Sequence, residues 1–225
     1  MATMAEALHE LRTDPESFLR HYMVSIAGSV PGIVPQRHTN FLIEAADGQV
    51  FRGFQTGVAG KLGKTKDRPQ LRIRMVNAGV TVGPNQAVFD AWYIAMSDIE
   101  GGPLAHQVPL SGSDGPDIAL TSQMSGCTFG IGSAAADGGR LVSHIRPPPA
   151  GQPNAATYQT MRQAASFGDM DGFFDRPSRP GAASYGNPEN RATIIGVRNR
   201  GNWRFYAQVY HLHNRRLFKV EDLNG

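Results

Sequence analysis

The chain has 225 residues, of which 40% are hydrophobic and 18% are charged, and it is rich in glycine (26) and proline (15). This balance is typical of a globular protein with many strands and long loops rather than of a helical bundle. A formal net charge of +3 gives no indication of nucleic-acid binding, and a single cysteine excludes an internal disulfide framework.

The N-terminal residues lack the basic and apolar regions of a Sec signal peptide, and no apolar run approaches the length of a membrane span. We therefore expect a protein that is cytosolic in the producing cell, or one that is exported by a route without a cleaved signal.

Residues 1–35 predict a helical segment that packs on the remainder of the chain. Met4, Leu8 and Leu11 recur at helical spacing. Asp14 followed by Pro15 is typical of a helix start, because aspartate caps the first turn and proline fits its first position. The sequence thus predicts two short helices before the β structure begins.

The middle and the end of the chain carry strand patterns separated by turn signals. Predicted strands cover 41–46, 49–55, 71–76, 87–96, 193–197 and 203–212. Ala46-Asp47-Gly48-Gln49 is typical of a hairpin turn, and Asn154 predicts the cap of a helix that runs to about Phe167. We expect an α+β fold with a β-sandwich-like core of mixed sheets, flanked by helices and long loops, in one catalytic domain over residues 1–225.

Two surface features complete this organisation. Residues 168–190 predict a long loop with aromatic side chains, and loops of this length often form lids or binding loops. Residues 57–74 form a basic hairpin pattern, which is either a solvated face or a docking surface for an acidic protein.

Residues 121–147 hold the only cysteine, and a histidine follows it on the next predicted strand. The segment predicts a β-hairpin that turns within residues 134–139. If the turn is centred between Ala135 and Ala136, Cys127 and His144 are direct cross-strand neighbours, with Cβ atoms about 5 Å apart. A slip of one residue would place the two side chains on opposite faces.

This pairing suggests nucleophilic chemistry. A neighbouring imidazole can take the proton of a thiol, and the thiolate is the attacking form. Thr121, six residues before Cys127, is a candidate to orient the imidazole of His144. The main chain around Gly126 is a candidate to hold an oxyanion. A buried cysteine that packs as a small apolar side chain is the structural alternative.

The residues Ser125-Gly126-Cys127-Thr128, with His144 after a glycine-rich turn, resemble the core of the cysteine–histidine glutamine deamidase toxins. This family includes the cytotoxic necrotizing factor catalytic domain and the Burkholderia-type lethal factor. Thr121 matches a threonine six residues before the cysteine in the lethal factor. The chain departs from the family in having Met124 in place of leucine and a longer interval between cysteine and histidine.

The resemblance implies a virulence effector that deamidates a glutamine of a host protein through a thioester on Cys127. It implies catalytic roles for Cys127, His144 and Thr121, and oxyanion or substrate contacts for Ser125, Gly126 and Thr128. The implied target is a DEAD-box helicase of translation initiation, whose loss would inhibit translation, or a Rho-type GTPase, in the host cytosol. No cofactor, metal or nucleic acid is expected.

Two other interpretations stay open. The chain fits a non-catalytic β-rich binding module that uses the basic hairpin and the aromatic loop. It also fits a Cys-His protease or acyltransferase, which would share the dyad and differ in substrate and product.

Overall fold

The structure is a computed structural model that describes residues 3–27, 38–53, 66–98, 107–148, 153–165, 170–176, 184–213 and 216–224. The helices are α1 (Met4–Thr13), α2 (Pro15–His21) and α3 (Ala155–Ala165). The strands are β1 (Met23–Ile26), β2 (His38–Gly53), β3 (Lys66–Met75), β4 (Gln86–Ile94), β5 (Met96–Asp98), β6 (Val108–Leu110), β7 (Ile118–Thr121), β8 (Thr128–Gly132), β9 (Arg140–Arg146), β10 (Met170–Phe174), β11 (Asn190–Asn199), β12 (Asn202–His211) and β13 (Arg216–Asp222).

The helix starts follow from local capping chemistry. Thr3 and Glu6 form a reciprocal capping box at α1, in which each side chain binds the main-chain N–H of the other residue. The Asp14 carboxylate accepts the N–H of Ser17, and Pro15 occupies the first turn of α2. The Asn154 side chain accepts the N–H of Thr157 at 3.0 Å and caps α3. The predicted starts of α2 at Asp14-Pro15 and of α3 at Asn154 are confirmed, and the capping box of α1 was not predicted.

The strands form two sheets. The larger sheet has the order β1-β3-β2-β13-β12-β11-β7-β4, with β2 also paired to β4. The smaller sheet has the order β10-β8-β9-β5, with β6 paired to β9. Both sheets mix parallel and antiparallel pairs, since β4–β7 and β5–β9 are parallel whereas β11–β12 and β8–β9 are antiparallel.

Three apolar clusters of described residues hold these layers together, and the smallest packs Tyr158 and Met161 of α3 against Ile145 of β9. Helices α1 and α2 bury Leu11, Phe18 and Leu19 against one side of the larger sheet. The second core lies between the two sheets and includes Phe129 and Phe205, whose rings are 5.8 Å apart. The predicted α+β class, with a core of mixed sheets flanked by helices and loops, is confirmed.

Two sequence predictions differ from the structure. The predicted hairpin turn at Ala46–Gln49 is wrong, because β2 continues through it as one strand with a register irregularity between Ala45 and Val50. An Asp-Gly pair therefore accommodates a β-bulge here instead of a reversal. The predicted loop 168–190 contains β10, which pairs with the edge of β8. Residues 57–65 of the basic hairpin pattern lie outside the described residues.

Within the described residues, no helix is both long enough and apolar enough to cross a bilayer.

Candidate active site

Three predicted site residues come from three different strands. Thr121 ends β7 in the larger sheet, His144 lies in β9 of the smaller sheet, and Cys127 lies just before β8. All three are buried, and Thr121 and His144 are fully so. The structure therefore places these residues at the interface between the two sheets.

The β8–β9 hairpin has a different register from the predicted one. Phe129, rather than Cys127, lies opposite His144. The turn is closed by hydrogen bonds from Gly138 N to Ala135 O and from Ala135 N to Gly139 O, so its centre is later than assumed. Cys127 and His144 are thus diagonal neighbours on the same face, with Cα atoms typically about 7–8 Å apart.

The imidazole of His144 is oriented by the opposite sheet. The Thr121 hydroxyl donates to the carbonyl of Ile94 at 2.9 Å, and it also contacts Nδ1 of His144 at hydrogen-bonding distance. A hydroxyl has a single proton, so the Thr121 oxygen must accept the second hydrogen bond from Nδ1–H. His144 is therefore the Nδ1–H tautomer, and Nε2 carries the lone pair that can accept a proton.

Burial sets the charge of this imidazole. Desolvation lowers the pKa of His144 to about 3, so the ring is neutral at physiological pH. Among the described residues, Nε2 has no hydrogen-bond partner. A buried ring nitrogen with a lone pair and no partner is costly for stability, and it is also what a general base requires before its substrate arrives.

The thiol of Cys127 is covered in this conformation. The residue is only 3% exposed, and Sγ contacts Sδ of Met96 at 3.7 Å. Burial raises the pKa of the thiol to about 11, although a hydrogen bond to the Ser125 main chain and the positive charges of Arg176 and Arg146 lower it in part. The thiol is therefore protonated and shielded from solvent in this conformation.

The segment after α3 holds the main chain around Cys127. The hydroxyl of Tyr185 donates to the carbonyl of Cys127 at 3.0 Å. The guanidinium of Arg176 donates to the carbonyl of Ser125. Arg176 follows Asp175, which is fully buried and forms an ion pair with Arg162 of α3 at 2.6 Å. These contacts place part of the predicted aromatic loop beside Cys127.

The predicted oxyanion residues are distributed on both sides of the thiol. Ser125 is exposed, and its carbonyl is occupied by Arg176. Gly126 is buried beside the ring of Pro147. Thr128 begins β8, and strand alternation turns its side chain away from the face shared by Phe129 and His144. The side chain of Thr128 therefore points away from the thiol, and the main chain of these three residues is the candidate to hold an oxyanion near Cys127.

A cavity of about 440 Å³ lies next to Met96, the residue that contacts the thiol. Its lining comes from both sheets and consists of Ile26, Tyr93, Ala95, Met96, Ser122, Gln123 and Arg146. Met96 lines this cavity and also contacts Sγ of Cys127. Volumes of this order are typical of small-ligand or side-chain pockets.

Sequence reasoning missed Met96 and Arg146. Continuing the observed β8–β9 register by one pair places Arg146 opposite Cys127, so the correct register would have identified it. Met96 lies beside His144 in the parallel β5–β9 pair. No local sequence signal indicates that contact, because the pairing joins segments far apart in the chain.

The raised thiol pKa predicts slow alkylation of the folded protein. At pH 7 a thiol with a pKa of about 11 is about 0.01% thiolate, whereas an unfolded cysteine is a few per cent thiolate. We expect iodoacetamide to modify native Cys127 at least about 100-fold more slowly than the urea-unfolded chain. The native rate should keep rising up to about pH 11. A native rate that levels off at or below pH 9 would contradict the closed arrangement.

The crystal structure of the C-terminal domain of CNFy from Yersinia pseudotuberculosis aligns over 100% of this chain and 100% of that chain, with a TM-score of 0.38 and 9% sequence identity. No protein-family model matches the chain, and no curated protein matches it. A likeness at this level does not establish a shared activity.

Proposed function

We propose that the chain is a protein-glutamine deamidase with Cys127 as nucleophile and His144 as general acid–base. The observation that supports this most directly is the hydrogen-bond chain from the Ile94 carbonyl through Thr121 to His144 Nδ1. It leaves Nε2 as the basic nitrogen on the face that His144 shares with Cys127. A carbonyl-anchored hydroxyl that orients an imidazole has the role of the third group in nucleophilic triads.

The proposed reaction proceeds in two halves. Nε2 of His144 takes the thiol proton while Sγ attacks the side-chain carbonyl carbon of the glutamine. The same proton is then passed to the departing amine, which leaves as ammonia and yields a thioester. Water, deprotonated by Nε2, attacks the thioester, and the products are glutamate and the free thiol. Main-chain N–H groups around Gly126 would stabilise each oxyanion.

Cys127 and His144 are both neutral in the closed site, which favours a mechanism in which the thiol proton moves to His144 as Sγ attacks the substrate. Burial disfavours a separated thiolate–imidazolium pair, since it raises the pKa of Cys127 and lowers that of His144. We infer that the dyad stays neutral until a substrate displaces Met96. This would limit reaction of the thiol with small electrophiles in the absence of substrate.

The substrate class is proposed from the Ser125-Gly126-Cys127 resemblance. It favours a host protein, with a DEAD-box helicase of translation initiation first and a Rho-type GTPase second. The whole chain would act as one catalytic domain in the host cytosol after export.

The test is mass spectrometry of eukaryotic lysate incubated with wild-type protein or with Cys127→Ser. We expect a specific glutamine to become glutamate with the wild type only, with Cys127→Ser at least about 1,000-fold slower, because a serine hydroxyl is not activated by this imidazole. Arg200→Gln, at an exposed hairpin turn, is the matched control and should retain activity. Equal conversion by wild type and Cys127→Ser would remove the nucleophile assignment.

The burial of Cys127 under Met96 favours a second candidate, a non-catalytic β-rich binding module. In that case Cys127 is a core residue and His144 is a structural histidine. Lysate incubation would then convert no glutamine, while a tagged protein would still retain a specific partner. A Cys-His protease or acyltransferase would instead produce cleaved or acylated products in the same experiment.

A further inference from the structure

Two sulfur atoms and one imidazole come together in the smaller sheet. Strand β9, which carries His144, lies between β8 and β5. Cys127 immediately precedes β8, and Met96 begins β5 directly beside His144 in the β5–β9 register. Sγ of Cys127 and Sδ of Met96 meet at 3.7 Å. The two sulfur atoms therefore come from the strands on either side of the histidine.

The separation of the two sulfur atoms is that of two ligands of one metal ion. With the zinc–sulfur bond length of about 2.3 Å as a guide, a separation of 3.7 Å corresponds to a sulfur–metal–sulfur angle of about 110°. This angle suits trigonal or tetrahedral coordination. The contact between Cys127 and Met96 therefore needs little movement to hold an ion.

The imidazole of His144 supplies a third donor atom on the same face of the sheet. The residue is fully buried, and among the described residues Nε2 has no hydrogen-bond partner. The Thr121 hydroxyl binds Nδ1, on the opposite side of the ring. Metal-bound histidines typically donate their second ring N–H to an oxygen in this way, which fixes the ring for coordination. A bound ion would give Nε2 the partner that it lacks.

The donor atoms favour a soft monovalent ion. Thiolate and thioether sulfur select Cu(I), whereas the usual ligands of zinc are thiolate, imidazole and carboxylate. The positive charges of Arg146 and Arg176 act on the thiol. A thiolate with a monovalent ion is neutral, so it is less costly to bury beside these charges than a thiolate with a divalent ion. Met96 is 42% exposed, and it gives the ion a path from solvent.

We propose that Cys127, Met96 and His144 form a three-coordinate Cu(I) site, with Sγ, Sδ and Nε2 as the ligands. On binding, the S–H bond of Cys127 breaks, its proton leaves to solvent and the Sγ–Cu bond forms, with no change in oxidation state. This departs from the expectation that the chain binds no metal. No local spacing indicates the site, because Met96 and Cys127 are 31 residues apart in the chain.

The site itself does not depend on the proposed function, but its consequence for activity does. Cu(I) would occupy Sγ of Cys127 and Nε2 of His144, which are the two atoms that the proposed deamidation uses. The loaded protein would therefore be inactive until a competing thiol removes the ion.

The test is an anaerobic titration of the reduced protein with Cu(I), in competition with a chromophoric Cu(I) chelator. We expect one Cu(I) per chain, and an X-ray absorption spectrum with two sulfur ligands and one nitrogen ligand. Zn(II) in the same buffer should bind at least about 1,000-fold more weakly, because one ligand is a thioether.

Met96→Leu is the most informative variant, because it conserves volume and removes only the thioether. It should weaken Cu(I) binding by about tenfold or more and leave one sulfur ligand. Met75→Leu, at a partly buried methionine in β3 of the larger sheet, is the matched control and should bind like the wild type. Cys127→Ser should abolish the site, and Thr121→Val should weaken it by about 10- to 100-fold.

Unchanged affinity and an unchanged sulfur count in Met96→Leu would overturn the site and leave the sulfur contact as packing. Zn(II) binding as tight as Cu(I) binding would refute the selection of a soft ion. Each of these results is obtained without a protein substrate.

The deamidation assay separates the site from the proposed function. One equivalent of Cu(I) should inhibit the wild type, and Met96→Leu should need about tenfold more. Full activity of the Cu(I)-loaded protein would refute coordination by Sγ and Nε2. Glutamine conversion by a protein that binds no Cu(I) would keep the proposed function and refute the site. Cu(I) binding without any conversion would keep the site and refute deamidation.

Discussion

Replacing His144 with asparagine is expected to make the free energy of unfolding much less dependent on pH between pH 3 and pH 7. Burial lowers the pKa of His144 from 6.5 to about 3. Between these two pH values the imidazole is protonated in the unfolded chain and neutral in the folded protein. Stability from this group is present above about pH 6.5 and is lost as the pH falls towards 3. The loss reaches about 4 kcal/mol at the acid end of that window.

Asparagine is the informative replacement because its side-chain amide can take the place of Nδ1–H and donate to Thr121, but it does not titrate. The measurement is the free energy of urea unfolding between pH 3 and pH 7. The difference between wild type and His144→Asn isolates the histidine from the carboxylates, which titrate in both proteins. If the unfolding free energies of the two proteins changed with pH in parallel, His144 would have the same pKa in the folded and unfolded states, which would contradict the prediction.

The same variant addresses catalysis. If His144 is the general base, His144→Asn should lower the deamidation rate by about 100- to 10,000-fold at pH 7. Thr121→Val, which removes the hydroxyl that orients the ring, should cause a smaller loss and shift the pH profile. An unaltered deamidation rate in His144→Asn would show that His144 takes no part in the reaction. The prediction for the pH dependence of unfolding would not be affected by that result.

Replacing Gly138 with alanine is expected to cost at least about 3 kcal/mol of unfolding free energy. Gly138 has φ of +81°, which disfavours a side chain, and a Cβ there would lie 2.0 Å from the carbonyl oxygen of Gly201. That atom belongs to the main chain of the β11–β12 turn and cannot rotate away. The turn of β8–β9 must therefore move or lose its contact with the larger sheet.

Gly79→Ala is the matched control, because Gly79 has φ of +80° but no atom within 4 Å of the added Cβ. It should cost only the conformational strain, about 1 kcal/mol. The two variants are compared by urea unfolding at one pH. Equal losses would mean that the close approach of the two turns does not contribute, and that the β8–β9 turn is positioned by other contacts.

The substitution Gly138→Ala is also expected to alter the candidate site. Its turn sets which residue of β8 lies opposite His144, and a shift of the turn would change the diagonal relation between Cys127 and the imidazole. The Gly138→Ala protein that still folds should therefore show an altered rate of Cys127 alkylation. This links the stability of a remote turn to the geometry of the proposed nucleophile.

Several features of this protein follow from the sequence alone. The caps at Asp14 and Asn154 act within three residues of themselves, so their helices could be predicted locally. The strand patterns and the α+β class depend on alternation along single segments, which is also local. Cys127, His144 and Thr121 could be selected as candidates because residue type and spacing restrict the chemistry that a thiol and an imidazole perform.

Only the tertiary structure decided the arrangement of those candidates. The β8–β9 turn approaches the β11–β12 turn closely at Gly138 and Gly201, and the tautomer of His144 depends on a carbonyl in another sheet. The pKa shifts of Cys127 and His144 arise from burial between two sheets, and the cover over the thiol comes from Met96 in β5. Each depends on contacts between segments that are far apart in sequence, and such contacts leave no periodic or local signal. The sequence thus indicated the candidate groups, and the packing of the two sheets determined their protonation and their access to solvent.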